Sequence, residues 1–246
     1  MNKNELGMKI DNNIMFFKDF KNIYIGSQGD LMLCMHQYVN HPEQMIIEKI
    51  KYNEGNVFDF SKNLIDIGAC IGIYSFSLPF KKSYMFEPNK DASILAQANM
   101  IINDKKDYVM YNNLLSDEEE KIIDYDGFST EYTLNNYNED NVVQVKSKKL
   151  DSFNFENIGL IKIDVEGMEY HVLKGAKETL EKHNYPPILF ELWDVGYWGM
   201  DQERYDRLID LLRNEYHYNL LMHWGDHETH LALNGDDYKK LFKIGQ

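Results

Sequence analysis

The stretch Leu64-Ile65-Asp66-Ile67-Gly68-Ala69-Cys70-Ile71-Gly72 sets the fold of this 246-residue chain. It begins as a short apolar run, typical of a buried strand, and turns on two glycines into the apolar start of a helix. Glycine lacks a Cβ and tolerates a positive φ, so such a turn lets a ligand approach the backbone. Close packing of the helix on the strand would explain the same glycines, and both interpretations stay open at this point.

Strand and helix patterns alternate from this stretch onward. Apolar runs predict strands at residues 63–67, 83–87, 107–113, 160–165 and 188–193, and helical periodicity predicts helices over residues 72–78, 89–102, 168–182 and 202–214. The predicted core faces of the second and third helices are Ile94, Leu95, Ala98 and Ile101, and Val172, Leu173, Ala176 and Leu180. Residues 216–224 and 229–233 are predicted to be two antiparallel strands. This alternation predicts an α/β fold, a mostly parallel sheet with helices on both faces.

The flanking and inserted segments complete the predicted organisation. Residues 1–56 are predicted to form an N-terminal arm or cap, with a strand at 22–26 and a helix that opens at Pro42, and residues 57–246 the main domain. Two further strands, 122–125 and 142–145, are predicted at an edge of the sheet. The polar residues between them, 126–141, are predicted to form a long loop.

Composition excludes several classes of protein. The net charge of −14 argues against a nucleic-acid partner, because the phosphates would be repelled. The chain has two cysteines, Cys34 and Cys70, which rules out a disulfide framework and favours a reducing compartment. No apolar run reaches the roughly 20 residues that span a bilayer, and no signal peptide is visible. We therefore predict a cytoplasmic protein without a membrane span, of undetermined oligomeric state.

Acidic residues at strand ends point to the chemistry. Glu87 ends the second strand, about 20 residues beyond Asp66, where a carboxylate receives two ribose hydroxyls. A dehydrogenase and a methyltransferase fit equally to this point. The turn lacks the full G-x-G-x-x-G of dinucleotide sites, and Asp66 would repel a pyrophosphate but could orient an ammonium group. Asp164 and Glu166, at the end of the fourth strand, would face the transferred group. These acids favour a cofactor that carries a positively charged sulfonium.

Four blocks of sequence resemble the FkbM-type S-adenosylmethionine-dependent methyltransferases. The blocks are Ile65–Gly72, Phe86-Glu87-Pro88, Leu150–Phe153 with Ile161–Glu169 and Val172–Ala176, and the strand that carries Glu191. They occur in the family's order and cover roughly residues 63–194. The chain departs from the family at Cys70, where such proteins often have Asn.

The resemblance implies a fold, a cofactor and a reaction. The fold is the Rossmann-like class I methyltransferase fold, a mostly parallel seven-stranded sheet whose last strand is antiparallel. The cofactor is S-adenosyl-L-methionine, and the reaction transfers its methyl group to a hydroxyl of a sugar, a glycan or a related natural product. The residues implied in cofactor binding are Asp66, Gly68, Ala69 and Gly72 at the methionine end, Glu87 and Pro88 at the ribose, Asn113 and Leu115 at the adenine edge, and Asp164 beside the sulfonium.

Methyl transfer to a hydroxyl needs a base, because a sugar hydroxyl is a weak nucleophile. The predicted catalytic residues are Asp164, Glu191 and Glu166, with Asp164 the first candidate for the base and Glu191 the second. His171 falls on the polar face of its helix and is predicted to be solvated. Trp193, Tyr197 and Trp198 follow the fifth strand, where aromatic faces could stack on a sugar or simply close the core.

Two alternative functions remain open. In the first, a divalent ion held by Asp164 and a neighbouring acid or histidine assists the methyl transfer. In the second, the chain is a catalytically inactive cofactor-binding partner subunit. His223, His227 and His230, with Asp226 and Glu228, have spacings that a zinc site could use, but a turn between strands scatters side chains on both faces. The leading hypothesis therefore assigns no metal ligand.

Overall fold

The structure is a computed structural model that describes residues 10–11, 14–18, 23–27, 42–125, 142–197, 200–224 and 228–244. Its strands are β1 (Ile10–Asp11), β2 (Ile14–Lys18), β3 (Ile23–Ser27), β4 (Asn63–Ile67), β5 (Lys82–Phe86), β6 (Tyr108–Tyr111), β7 (Leu114–Leu115), β8 (Ile122–Tyr125), β9 (Val143–Lys148), β10 (Ile158–Ile163), β11 (Ile188–Glu191), β12 (Asn219–Leu221) and β13 (Thr229–Leu233). Its α-helices are α1 (Pro42–Tyr52), α2 (Ile73–Ser77), α3 (Lys90–Ile102), α4 (Glu169–Lys174), α5 (Lys177–Lys182), α6 (Gln202–Asp210) and α7 (Gly235–Phe242).

Seven strands form the central sheet in the order β12-β13-β11-β10-β4-β5-β6. Strands β11, β10, β4, β5 and β6 pair in parallel with one another along this order. Strand β13 runs antiparallel to both of its neighbours. Every residue of β4 and of β10 is buried, as expected for strands covered on both faces. The predicted seven-stranded, mostly parallel sheet with an antiparallel last strand is confirmed.

The helices cover the two faces of this sheet and create two apolar clusters. On one face, side chains of α1, α2 and α3 pack against Leu64, Leu160 and Leu189. On the other face, side chains of α4, α5 and α6 pack against Ile161 and Phe190. Successive strand residues point to opposite faces, so each buried strand contributes to both clusters. The carboxyl ends of the parallel strands meet at one edge between the helical layers.

Helix α1 packs into the same core as the central sheet. Ile46 and Ile50 are fully buried in the cluster that also contains Ala69 and Ile71 of the glycine turn. Helix α1 therefore belongs to the helical layer on this face of the central sheet. We propose that the domain begins at α1 and not at residue 57, which restricts the N-terminal arm to the residues before Pro42.

The core face of α3 differs from the prediction. Of the four predicted core residues, Leu95 is buried and Ala98 is partly buried, but Ile94 and Ile101 are 61% and 66% exposed. The residues of this helix that are buried are Ala92, Ser93, Leu95, Ala96, Asn99 and Met100. Apolar residues occur on several sides of α3, and the small residues Ala92 and Ala96 allow this side to approach the sheet most closely. The predicted face was therefore rotated away from the observed one.

The helix predicted over residues 168–182 is interrupted between α4 and α5. A Cβ on Gly175 would lie 2.1 Å from the carbonyl oxygen of Ser116, so the chain after β7 passes directly against this point. All four predicted core residues of this segment, Val172, Leu173, Ala176 and Leu180, are buried. The contact with Ser116 thus explains why residue 175 is glycine, and the local apolar pattern continues across the break.

Strands β8 and β9 do not extend an edge of the central sheet. They pair antiparallel with each other, and β9 also pairs with β7, to form a separate three-stranded sheet. Strands β1, β2 and β3 form a second small antiparallel sheet. The loop predicted over residues 126–141 lies outside the described residues. Within the described part of the chain, no helix is long and apolar enough to cross a membrane.

Candidate active site

The glycine turn after β4 is fastened to neighbouring elements. The N–H groups of Gly68 and Ala69 both donate to the carbonyl of Phe86, at 3.0 Å each. Gly68 has a φ of +69°, and a Cβ there would lie 1.7 Å from the carbonyl oxygen of Asp164. Gly72 has a φ of +79°, and a Cβ there would lie 3.3 Å from the Cβ of Ala96 in α3. Both glycines thus serve backbone geometry and close packing, and their contact with a cofactor stays a prediction.

Cys70 occupies a position that the backbone makes unusual. Its φ is +47°, in the left-handed region, where Asn is tolerated better than most other residues. The Asn found here in the resembling family therefore has a conformational reason, independent of any side-chain contact. Cys70 also donates its N–H to Oε2 of Glu87 at 2.9 Å, which fixes the turn against the end of β5.

Glu87 links the glycine turn to the start of α3. Its Oε1 accepts the N–H of Asn89 at 2.8 Å while Oε2 accepts that of Cys70, and the residue is 7% exposed. Burial raises the pKa of Glu87 to about 7, although these two hydrogen bonds act to lower it. Each carboxylate oxygen retains capacity for a further hydrogen bond, so the predicted ribose contact is compatible with this arrangement. Asn112, which the sequence analysis missed, donates to the Glu87 carbonyl at 3.1 Å.

Asp66 points into the protein. It is fully buried, and its Oδ2 accepts a hydrogen bond from Ser75 Oγ at 2.7 Å. Its Oδ1 lies 3.6 Å from Nζ of Lys162. The structure does not bring Asp66 into the same open edge as Glu166, and its contact with a cofactor ammonium stays a prediction.

Lys162 is a central residue of this region that the sequence analysis did not single out. Its Nζ lies 2.7 Å from the Gly68 carbonyl and 3.3 Å from Oδ2 of Asp164. Burial alone would lower the pKa of Lys162, but the carboxylates of Asp164 and Asp66 raise it above its ordinary value. A lysine inside an otherwise apolar buried strand was the available signal, because such a charge requires partners.

The three predicted catalytic acids come together at the carboxyl edge of the sheet. Carboxylate oxygens of Asp164, Glu166 and Glu191 lie within 4.8 Å of one another. Asp164 and Glu166 follow β10, Glu191 ends β11, and these strands are neighbours. Glu166 has a φ of +57°, a strained conformation that such residues keep only when their surroundings impose it. Burial, and then the charges of Asp164 and Glu166, raise the pKa of Glu191 well above its ordinary value.

Glu169 holds the loop that carries two of these acids. It is 4% exposed, and its Oε1 accepts the N–H groups of Val165 and Gly167 at 3.1 and 3.3 Å. Burial raises the pKa of Glu169 to about 7. The sequence analysis quoted Glu169 only as part of a motif. Its position at the start of α4, four residues after Val165, was the signal for this role.

The remaining predicted cofactor residues differ in how exposed they are. Pro88 lies partly exposed beside Glu87, and Asn113 lies partly exposed between β6 and β7. Leu115 is 4% exposed and belongs to the apolar cluster beneath the sheet. The adenine edge predicted at Asn113 and Leu115 therefore stays a prediction, with Asn113 the more accessible of the two.

The histidines have structural partners. His171 is partly buried with its Nδ1 2.9 Å from Asp117 Oδ1, so it is not the solvated residue that the helical pattern predicts. His230 is buried, with Nε2 2.9 Å from the Leu192 carbonyl and Nδ1 accepting the N–H of His223 at 2.7 Å. Both ring nitrogens of His230 are thereby engaged, which leaves neither for a zinc ion. His227 and Asp226 lie outside the described residues.

Two aromatic rings follow β11 beside the acids. Trp193 and Tyr197 stack with their ring centroids 5.9 Å apart and their planes at 10°. Tyr197 is 60% exposed, so one face of this pair is open to solvent. Trp198, the third aromatic residue predicted here, lies outside the described residues.

The strand order and the turn after β4 are those of the Rossmann-like fold of the class I methyltransferases. The sequence profile of the family described as Methyltransferase FkbM domain matches residues 66–220. The chain belongs to this family. Its membership confirms the predicted family and the cofactor S-adenosylmethionine.

Comparison with solved structures finds relatives of low sequence identity. Methyltransferase FkbM from Methylobacillus flagellatus KT is 19% identical with a TM-score of 0.48, over 71% of this chain and 44% of that protein. A candidate SAM-dependent methyltransferase from Streptococcus mutans is 9% identical with a TM-score of 0.50, over 93% of this chain and 57% of that protein. The chain thus spans less than half of the Methylobacillus protein. A comparison with curated protein sequences finds no match.

Proposed function

We propose that this chain transfers the methyl group of S-adenosylmethionine to a hydroxyl of a sugar, a glycan or a related natural product. The observation that carries the proposal is the cluster of Asp164, Glu166 and Glu191 described above, with carboxylate oxygens within 4.8 Å of one another. Ligands of open α/β sheets bind at this edge. Negative charge there suits both a sulfonium and the removal of a hydroxyl proton.

The donor set fits the cofactor. Bound S-adenosylmethionine would supply an activated methyl group, and acidic side chains would border its ribose and its sulfonium. Glu87 retains hydrogen-bonding capacity for two ribose hydroxyls, and Asp164 follows β10, which lies on the other side of β4 in the sheet. The remaining residues that we propose for the cofactor are Asp66, Gly68, Ala69, Gly72, Pro88, Asn113 and Leu115.

We propose Glu191 as the base, which reverses the order predicted from the sequence. Asp164 is engaged by the ammonium of Lys162 at 3.3 Å. Oε2 of Glu191 is buried and has no hydrogen-bond partner among the described residues. A carboxylate oxygen that is enclosed and unpaired is available to accept a proton from an acceptor placed against it. Asp164, held by Lys162, would orient that acceptor.

The acceptor side has features that suit a carbohydrate. The stacked pair of Trp193 and Tyr197 presents an open aromatic face, and the C–H surface of a sugar ring stacks on such faces. The net charge of −14 disfavours a nucleic-acid acceptor. We therefore keep a small molecule or a glycan as the proposed acceptor. The cytoplasmic location stays a prediction from the sequence.

The proposal is tested by following a labelled methyl group. Calorimetry is expected to detect binding of S-adenosylhomocysteine and not of NAD. Incubation of the protein with methyl-labelled S-adenosylmethionine and extracts of the native host is expected to label a carbohydrate-containing product as a methyl ether. Label in a nitrogen- or carbon-linked methyl group would contradict hydroxyl transfer. Cofactor binding without any transfer would instead support the inactive partner subunit.

A metal-assisted reaction is the second candidate, favoured by the same three carboxylates. Oxygen ligands from two or three acids are typical of Mg²⁺ and Mn²⁺ sites. We expect transfer to survive EDTA, because Lys162 already compensates the charge of Asp164. Activity that is lost in EDTA and restored by Mg²⁺ would establish the metal-assisted reaction. The measurement is the initial rate of label transfer, with the same protein freed of EDTA by gel filtration as the control.

A further inference from the structure

A buried ammonium group connects the glycine turn to the acid cluster. Lys162 lies opposite Asp66 in the parallel register of β10 and β4, and its side chain is 6% exposed. Its Nζ lies 2.7 Å from the Gly68 carbonyl, at the turn, and 3.3 Å from Asp164 Oδ2, at the cluster. One side chain thus contacts both the glycine turn, which follows β4, and the acid cluster at the end of β10.

The surroundings of Lys162 keep it charged and in place. The carboxylates of Asp164, Asp66 and Glu43, the last at the start of α1, all act on its ammonium. The ring of Tyr74 lies below it, with the centroid 5.4 Å from Nζ. A desolvated lysine is costly unless it is paired and hydrogen-bonded, and here both conditions are met. An arrangement this enclosed leaves the ammonium little freedom to move.

We propose that Lys162 is a positioning residue that holds the cofactor turn and Asp164 in a fixed relation. The inference rests on the proposed function, in which the turn borders the cofactor and Asp164 borders the acceptor. Transfer between two bound molecules depends on their alignment, and small displacements of either one are costly in rate. Lys162 touches neither reactant in this account and acts through Gly68 and Asp164.

The test separates positioning from simple stability. Lys162→Met alone would leave the charge of Asp66 without its partner, so the decisive variant combines Lys162→Met with Asp66→Asn. Asp66 is itself one of the residues proposed for the cofactor, so Asp66→Asn alone is the reference for this variant. Ser75→Ala is the matched control, because Ser75 contacts the same carboxylate at 2.7 Å from the other side. Thermal unfolding, the dissociation constant of S-adenosylhomocysteine and the rate of label transfer are measured for the wild type and for each of these variants.

We expect the double variant to bind S-adenosylhomocysteine about tenfold more weakly than Asp66→Asn alone, because the turn that borders the cofactor loses the hydrogen bond from Lys162 to the Gly68 carbonyl. Its kcat is expected to fall by about 100-fold. Ser75→Ala is expected to lower thermal stability and leave both values near those of the wild type. Equal affinity and kcat in the double variant and in Asp66→Asn would overturn the inference, whereas a wild type that does not bind S-adenosylhomocysteine would refute the proposed function. If the double variant does not fold, Lys162→Arg, which keeps the charge but moves it, is judged by the same two values.

Discussion

Glu191→Gln is expected to reduce kcat by about 100- to 10,000-fold, the usual contribution of a general base. Glutamine keeps the shape of the side chain but cannot accept the proton of the acceptor hydroxyl. The affinity for S-adenosylhomocysteine is expected to change little, because Glu191 lies on the acceptor side of the proposed site. The measurements are the rate of label transfer at saturating cofactor and calorimetry with S-adenosylhomocysteine.

The pH dependence of turnover gives an independent check on this base. Burial and neighbouring acids raise the pKa of Glu191, so its carboxyl is protonated at low pH and becomes a base only as the pH rises through that raised pKa. We therefore expect kcat of the wild type to increase with pH, and the residual rate of Glu191→Gln to lack this step. Glu203→Gln, the same change at the exposed start of α6, is the control. A normal rate in Glu191→Gln together with a large loss in Asp164→Asn would return the role of base to Asp164.

The choice between Glu191 and Asp164 shows where the sequence was informative. Both acids follow apolar runs, and the carboxyl ends of parallel strands share one edge, so their proximity was predictable. The difference between their environments, with Asp164 beside the ammonium of Lys162 and Oε2 of Glu191 without a partner among the described residues, was not inferred. Lys162 and Asp164 are two residues apart at the end of β10, and residues at this spacing share a face of a strand. That spacing indicated the ion pair, but the sequence analysis quoted Lys162 only as part of a motif.

Other features depended on contacts distant in sequence. The bounds of β4 were predicted from its apolar run, because a strand buried on both faces has no competing local pattern. Asp66 within it was predicted to face the cofactor, since nothing local indicates that Ser75 and Lys162 enclose it. The need for glycine at position 175 likewise follows from the passage of Ser116, 59 positions earlier in the chain. Local periodicity cannot report such contacts.

Gly68→Ala is expected to destabilise the fold by about 3 kcal/mol or more, combining backbone strain with overpacking. The added Cβ would lie 1.7 Å from the Asp164 carbonyl oxygen, which is backbone and cannot rotate away. It would also hold alanine at a φ of +69°, in the left-handed region. Relief requires β4 and β10 to separate at their carboxyl ends, where the acid cluster begins. The free energy of unfolding in urea measures the loss, and label transfer measures its consequence for the site.

Gly196→Ala separates the two contributions to this loss. Gly196 has a φ of +90°, and among the described residues other than its chain neighbours no atom lies within 4 Å of an added Cβ, so alanine there meets strain without a clash from these residues. Its cost is expected to be about 1–2 kcal/mol, the usual cost of a left-handed conformation for a residue with a Cβ. The difference between the two variants then measures the close approach of Gly68 to Asp164. Equal losses would mean that β4 and β10 are not packed as tightly at this point as the structure has them. A larger loss at Gly68 would identify its missing Cβ, and not only its φ, as the reason that the motif requires glycine there.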